Sequence, residues 1–88
     1  MGYYVYLIGS LKKFKLKTYV GYTKNLKKRL FKHNSGKGAK STRGYKWKFL
    51  YHKRYLSKQE AMSQEYFLKK NKFKRNKIAT KFLSTSQL

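Results

Sequence analysis

Residues 19–43 read YVGYTKNLKKRLFKHNSGKGAKSTR, and three kinds of local structure follow one another in them. Residues 18–22 (TYVGY) are β-branched and aromatic, which reads as a strand. Gly21 is unfavourable inside a strand and marks the close approach of another backbone or a ligand. Thr23 is an N-cap residue type, placing a helix start at Lys24. Leu26, Leu30 and His33 recur at i, i+4 and i+7, one stripe of that helix, with Arg29 and His33 one turn apart on a neighbouring strip. Asn34-Ser-Gly-Lys-Gly38 ends the helix, because glycine tolerates the left-handed conformation of a helix C-terminus. The loop then runs to Gly44.

Upstream, residues 3–8 (YYVYLI) carry a strong strand signal. Residues 9–17 (GSLKKFKLK) read as a long hairpin loop, so the first two strands pair antiparallel. Downstream, residues 46–55 (KWKFLYHKRY) alternate basic and apolar through Trp47, Phe49 and Tyr51, a half-buried strand. Ser57-Lys-Gln-Glu60 is a capping box opening a helix to about Lys70, with Ala61, Met62, Phe67 and Leu68 as core contacts. Residues 72–83 repeat an amphipathic pattern with Ile78 and Phe82 at i, i+4. The order β-β-α-β-α-α predicts an α/β fold: a small three-stranded mixed or antiparallel sheet flanked by helices. Residues 1–83 form one domain and 84–88 a frayed tail.

The chain has 24 Lys and Arg against two acids, a formal charge of +22 in 88 residues. A compact domain so charged repels itself unless a polyanion neutralises it. Nucleic acid is the expected partner, bound with strong salt dependence. With aromatics at 18% the chain is no disordered basic tail. It has no Cys, so disulfides and Cys-based metal sites are excluded. The start MGYYVYLIGSL lacks a basic region before its short apolar run, and no stretch reaches bilayer-spanning length. No membrane association is expected, and the location is expected to be cytoplasmic, with the nucleoid.

Two acids in so basic a chain narrow the chemistry. Glu60 is accounted for by the capping box. Glu65 has two readings: an i, i+4 ion pair with Lys69, or a ligand of Mg²⁺, which needs only one or two carboxylates. Arg29 and His33 are either solvated bases or a phosphate clamp and a proton carrier. Tyr6 and Tyr19 are either core residues or site hydroxyls. Lys37, Lys40 and Arg43 lie on a loop whose glycines, at 36 and 38, let backbone N–H groups approach phosphate, so this loop is expected to contact the DNA backbone.

Together these residues resemble the GIY-YIG nuclease superfamily. Tyr4-Val5-Tyr6 resembles its first tripeptide, with Tyr4 where the motif has Gly, and Tyr19-Val20-Gly21 its second. Thr-x-x-Leu-x-x-Arg29, His33-Asn-Ser-Gly-Lys-Gly38 and Ala61-x-x-x-Glu65 complete the likeness over residues 3–75, which is similar to small stand-alone bacterial members. Those are related to the nuclease subunit of structure-specific endonucleases and to an excision-repair incision enzyme, which implies a DNA-repair setting. The resemblance implies a Mg²⁺- or Mn²⁺-dependent DNA endonuclease with Tyr6, Tyr19, Arg29, His33 and Glu65 as its catalytic set and Glu65 as the metal ligand. It implies that Arg29 and the metal lower a tyrosine pKa enough for water activation by Tyr6 or Tyr19, with His33 assisting. One site per monomer makes nicking, a homodimer or a partner protein the natural arrangements. The alternative is a non-catalytic basic DNA- or RNA-binding module of the same fold.

Overall fold

The computed structural model describes residues 2–12 and 15–86, and side chains through residue 82. Its elements follow the expected order: β1 (Tyr3–Lys12), β2 (Lys15–Thr23), α1 (Leu26–Asn34), β3 (Lys48–Tyr55), α2 (Lys58–Lys70) and α3 (Lys72–Ser86), with a short 3-10 turn at Lys40–Thr42. The strand order is β2-β1-β3 and both pairings are antiparallel.

β1 is central because its sequence is apolar on both faces. Val5 and Leu7 pack with Val20, Ala61 and Leu68 under α2 and α3. Tyr6 and Ile8 pack on the other face with Trp47, Leu26 and Leu30, beneath α1 and the loop that follows it. A strand buried on both sides needs an uninterrupted apolar run, and YYVYLI supplies one.

Several boundaries differ from the expectation. The segment read as a hairpin loop is mostly strand: pairing continues from Gly9↔Thr18 to Lys12↔Lys15, and residues 13 and 14 lie outside the described residues. Polar residues satisfy a ladder as well as apolar ones, so the hydrophobic pattern does not mark where pairing ends. Helix α1 starts later than expected. Asn25 is its N-cap and accepts from the Lys28 N–H at 3.1 Å, while the Thr23 hydroxyl accepts from the Asn25 N–H at 3.1 Å. Thr23 thus shapes the turn before the cap.

β3 does not alternate through Phe49 and Tyr51. The register slips from Leu7↔Tyr51 to Ile8↔Phe49, leaving Leu50 as an inserted residue. This bulge sends Phe49 to the Tyr6 face and Leu50 and Tyr51 to the Val5 face. Gly9 makes room for Leu50, whose Cγ would lie 3.0 Å from a Cβ there.

On α2 the expected core face is rotated. Ala61 and Leu68 are buried, but Met62 is 47% and Phe67 61% exposed. One residue is about 100° of a helix turn, so a neighbour of a core position points sideways. Ser57 caps α2 as expected, accepting from the Glu60 N–H at 3.1 Å. Asn71 separates α2 from α3 and accepts from the Lys74 N–H at 3.0 Å. The Arg75 guanidinium closes the carbonyl end of α2 by donating to Leu68 O at 3.0 Å. α3 continues through Ser86, three residues into the segment expected to fray, and residues 87 and 88 lie outside the described residues.

Candidate active site

A cleft of about 600 Å³ wraps the free edge of β2 between α1 and α2. Residues of both faces of β2 line it, Tyr19 and Gly21 from one and Tyr22 from the other. Tyr6, Tyr19, Arg29 and Glu65, from four different elements, all reach this cleft. His33, the fifth expected residue, is buried at 1% exposure directly behind Tyr6. Lys37, Lys40 and Arg43 are exposed on the loop after α1 and do not line the cleft.

Gly21 explains how a tyrosine on the central strand reaches a cleft at the sheet edge. Tyr6 and Gly21 are register partners on β1 and β2. A Cβ at Gly21 would lie 2.6 Å from Tyr6 Cζ. The missing side chain lets the Tyr6 ring pass over β2 and present its hydroxyl. The close approach expected at Gly21 is therefore to a side chain of the site itself.

The Tyr6 hydroxyl lies 2.9 Å from His33 Nε2, and the two rings meet edge to face at 5.9 Å. Tyr19 stacks obliquely on the same imidazole at 5.0 Å. On its other side, His33 Nδ1 lies 3.0 Å from the Thr42 hydroxyl. Gly38 packs flat against the ring: a Cβ there would be 2.8 Å from His33 Cε1.

The helix that presents His33 ends in a Schellman turn, with Lys37 N–H donating to Lys32 O at 2.8 Å and Gly36 N–H to His33 O at 3.3 Å. Gly36 holds the left-handed φ of +80° that this turn requires. The two glycines expected to approach phosphate thus have local work, one in backbone conformation and one in imidazole packing. A Gly38→Ala variant should lose about 1–3 kcal/mol of unfolding free energy in urea titration, since His33 is held at both nitrogens and cannot yield. Wild-type stability there would show that the loop, not the imidazole, gives way.

Burial holds the Tyr6 hydroxyl well above its ordinary pKa of 10.0; Arg29 opposes the shift, while Tyr19 and Glu65 add to it. The expected lowering by Arg29 is therefore present but outweighed by desolvation. Burial, and then the Arg29 guanidinium, holds His33 below its ordinary 6.5. At neutral pH the pair is a neutral phenol beside a neutral imidazole.

Glu65 makes an i, i+4 ion pair with Lys69 at 3.6 Å, with its side chain 18% exposed against 52% for the lysine. The bland reading of this residue is thus real, and the same carboxylate also borders the cleft. No group of three or more His, Cys, Asp or Glu stands together among the described residues. The donor set is one carboxylate. That fits a Mg²⁺ ion completed by water and phosphate oxygens, and not a two-metal centre.

The cleft's charge has a signal in the sequence. Lys24, Lys28 and Lys32 recur at i+4 spacing beside Arg29 and line the cleft with Lys58. Thr42 and Asn34 gave no such signal. Thr42 is fully buried. The Asn34 carboxamide accepts from Trp47 N–H at 2.6 Å and donates to Trp47 O at 3.3 Å, pinning the loop's far end. These are long-range contacts of residue types that also occur in any turn.

The element order and the antiparallel three-stranded sheet are consistent with a GIY-YIG-type domain. The model of the GIY-YIG catalytic domain matches residues 2–79, and the chain belongs to that family. It is 54% identical over 52 residues to a UPF0213 protein of Bacillus pumilus, covering 58% of this chain and 53% of that one. It is 48% identical over 71 residues to a UPF0213 protein of Streptococcus pyogenes serotype M5, covering 78% of this chain and 74% of that one. The chain thus spans about half the length of the first relative and three quarters of the second. No solved structure matches it significantly. Among the described residues no helix is long and apolar enough to cross a membrane.

Proposed function

We propose that the chain is a DNA endonuclease dependent on Mg²⁺ or Mn²⁺ that hydrolyses one phosphodiester bond per encounter. The observation that carries this reading is the convergence of Tyr6, Tyr19, Arg29 and Glu65 on one cleft walled by Lys24, Lys28, Lys32 and Lys58. Glu65 would hold the ion, which supplies Lewis-acid polarisation of the phosphate and stabilises the leaving oxygen. Arg29 holds the phosphate and neutralises the charge that develops on it.

Tyr6 takes the proton of the attacking water as its own hydroxyl proton passes to His33 Nε2, 2.9 Å away. A concerted transfer of this kind needs no free phenolate, which the raised Tyr6 pKa would make scarce. The water oxygen bonds to phosphorus and the bond to the leaving strand oxygen breaks. Tyr19 packs the imidazole into place. Lys37, Lys40 and Arg43 serve the DNA backbone beyond the cleft. The protein works on nucleoid DNA in the cytoplasm, and a double-strand cut requires a second copy or a partner protein.

A non-catalytic nucleic-acid-binding module is the second reading, favoured by the Glu65–Lys69 pair. Incubating labelled linear, flapped and branched DNA with Mg²⁺ and with EDTA separates the two. Metal-dependent products support the nuclease and rank its substrates. Salt-sensitive binding with no products in Mg²⁺ or Mn²⁺ supports the module. In either case, log affinity should fall linearly with log salt at a slope of about −0.9 per phosphate neutralised on duplex DNA.

A further inference from the structure

The direction of proton flow at Tyr6 depends on which nitrogen of His33 carries hydrogen. A neutral imidazole has one N–H and one lone pair. Both neighbours are hydroxyls, Tyr6 at Nε2 and Thr42 at Nδ1, and a hydroxyl serves as donor or acceptor. The Thr42 hydroxyl is decided by its other partners. It accepts from Ala39 N–H at 3.1 Å and lies 2.9 Å from Ala39 O, to which it donates its single proton. With that proton committed, Thr42 Oγ1 can only accept at His33.

We infer that Thr42 is a positioning residue that fixes His33 as the Nδ1–H tautomer and so leaves Nε2 as the acceptor facing the Tyr6 hydroxyl. The opposite tautomer would require Thr42 to turn its proton toward Nδ1, leaving the Ala39 carbonyl one hydrogen bond of its two, that from the Thr42 N–H at 3.1 Å. Thr42 is well placed to enforce the choice. It is fully buried, it closes the 3-10 turn that Ala39 opens, and its carbonyl accepts from Trp47 Nε1 at 2.9 Å. Gly38 against the ring face removes the remaining freedom of the imidazole. The arrangement orients a proton acceptor through the hydrogen bond at its other nitrogen, by a neutral hydroxyl and not a carboxylate.

This inference deepens the proposed hydrolysis and rests on it for its purpose, but its test needs no cleavage. Ring ¹⁵N NMR of the full chain, at a pH where imidazole is neutral, reads the tautomer directly. His52→Gln assigns the signals, because the chain has two histidines. The expected wild-type spectrum has a protonated Nδ1 and a lone-pair Nε2, with this tautomer in about tenfold or greater excess. Thr42→Ser and Tyr6→Phe should keep it, and Thr42→Val should make Nε2–H the major form.

A wild-type ring protonated mainly at Nε2 overturns the inference. So does inversion by Tyr6→Phe, which would show that the tyrosine sets the tautomer. These two spectra decide the matter even where Thr42→Val does not fold. In cleavage assays Thr42→Val should lose about 10²-fold in rate with DNA affinity unchanged, and Thr42→Ser should recover it. An Nδ1–H ring in a wild type that cuts no DNA would remove the nuclease reading and leave the tautomer assignment standing.

Discussion

Glu65→Ala is expected to abolish cleavage while leaving DNA binding intact or tighter. The loss should be at least about 10³-fold, since metal-assisted charge stabilisation is worth several kcal/mol and each 1.4 kcal/mol is tenfold in rate. Binding should not weaken, because Glu65 is the one acidic group on a cleft wall that carries Lys24, Lys28, Arg29, Lys32 and Lys58. Phosphate gains from its removal. The fold should survive as well. The Lys69 partner is largely exposed, and such an i, i+4 pair contributes only about 0.3–0.5 kcal/mol. Single-turnover cleavage of end-labelled DNA, fluorescence anisotropy and circular dichroism read the three quantities separately. Residual cutting near the wild-type rate would remove Glu65 from the reaction, and loss of the folded spectrum would make it a structural residue.

Tyr6→Phe should cost about 10²–10⁴-fold in cleavage, the usual range for a general acid–base group. The ring would keep its edge contacts with Phe49 at 6.0 Å and His33 at 5.9 Å, so packing is conserved. What disappears is the hydroxyl hydrogen-bonded to Nε2. Tyr19→Phe should be much milder, because the Tyr19 ring, not its hydroxyl, meets the imidazole. Equal losses in the two variants would assign water activation to neither tyrosine alone.

The pH profile adds a second reading of the same pair. Burial and Arg29 depress the His33 pKa below 6.5, so the neutral proton acceptor persists below that pH. The acid limb of the cleavage rate should therefore lie below pH 6.5. Stability should follow the same sign. The folded state binds fewer protons than the unfolded chain once pH drops under 6.5, so the contribution is full above that value and lost as pH falls toward the depressed pKa.

Much of this architecture is local and so is written in local residues. The apolar run of β1 demands burial on both faces, Ser57 caps α2, and Gly36 closes α1. The converging side chains were legible only as a set. Arg29 with His33, or Glu65 with Lys69, each has an ordinary surface explanation taken alone, and resemblance to a known family is what tied them together. The bulge at Leu50 stayed hidden because a one-residue slip in register leaves the apolar count of β3 unchanged while moving Phe49 and Tyr51 to opposite faces.

The sequence determines the order of elements and the excess of positive charge, and through family resemblance it offers Tyr6, Tyr19, Arg29, His33 and Glu65 as candidates. Tertiary structure alone decided that Gly21 opens the path of the Tyr6 hydroxyl, that burial overrides Arg29 at that hydroxyl, and that Thr42 and Gly38 hold His33. The physical reason is range. Helix caps and hydrophobic periods act over three or four residues, whereas the Tyr6–His33 hydrogen bond spans 27 residues and the His33–Thr42 bond closes a loop of 9. Contacts of that kind exist only once the sheet and α1 have packed and excluded water from between them.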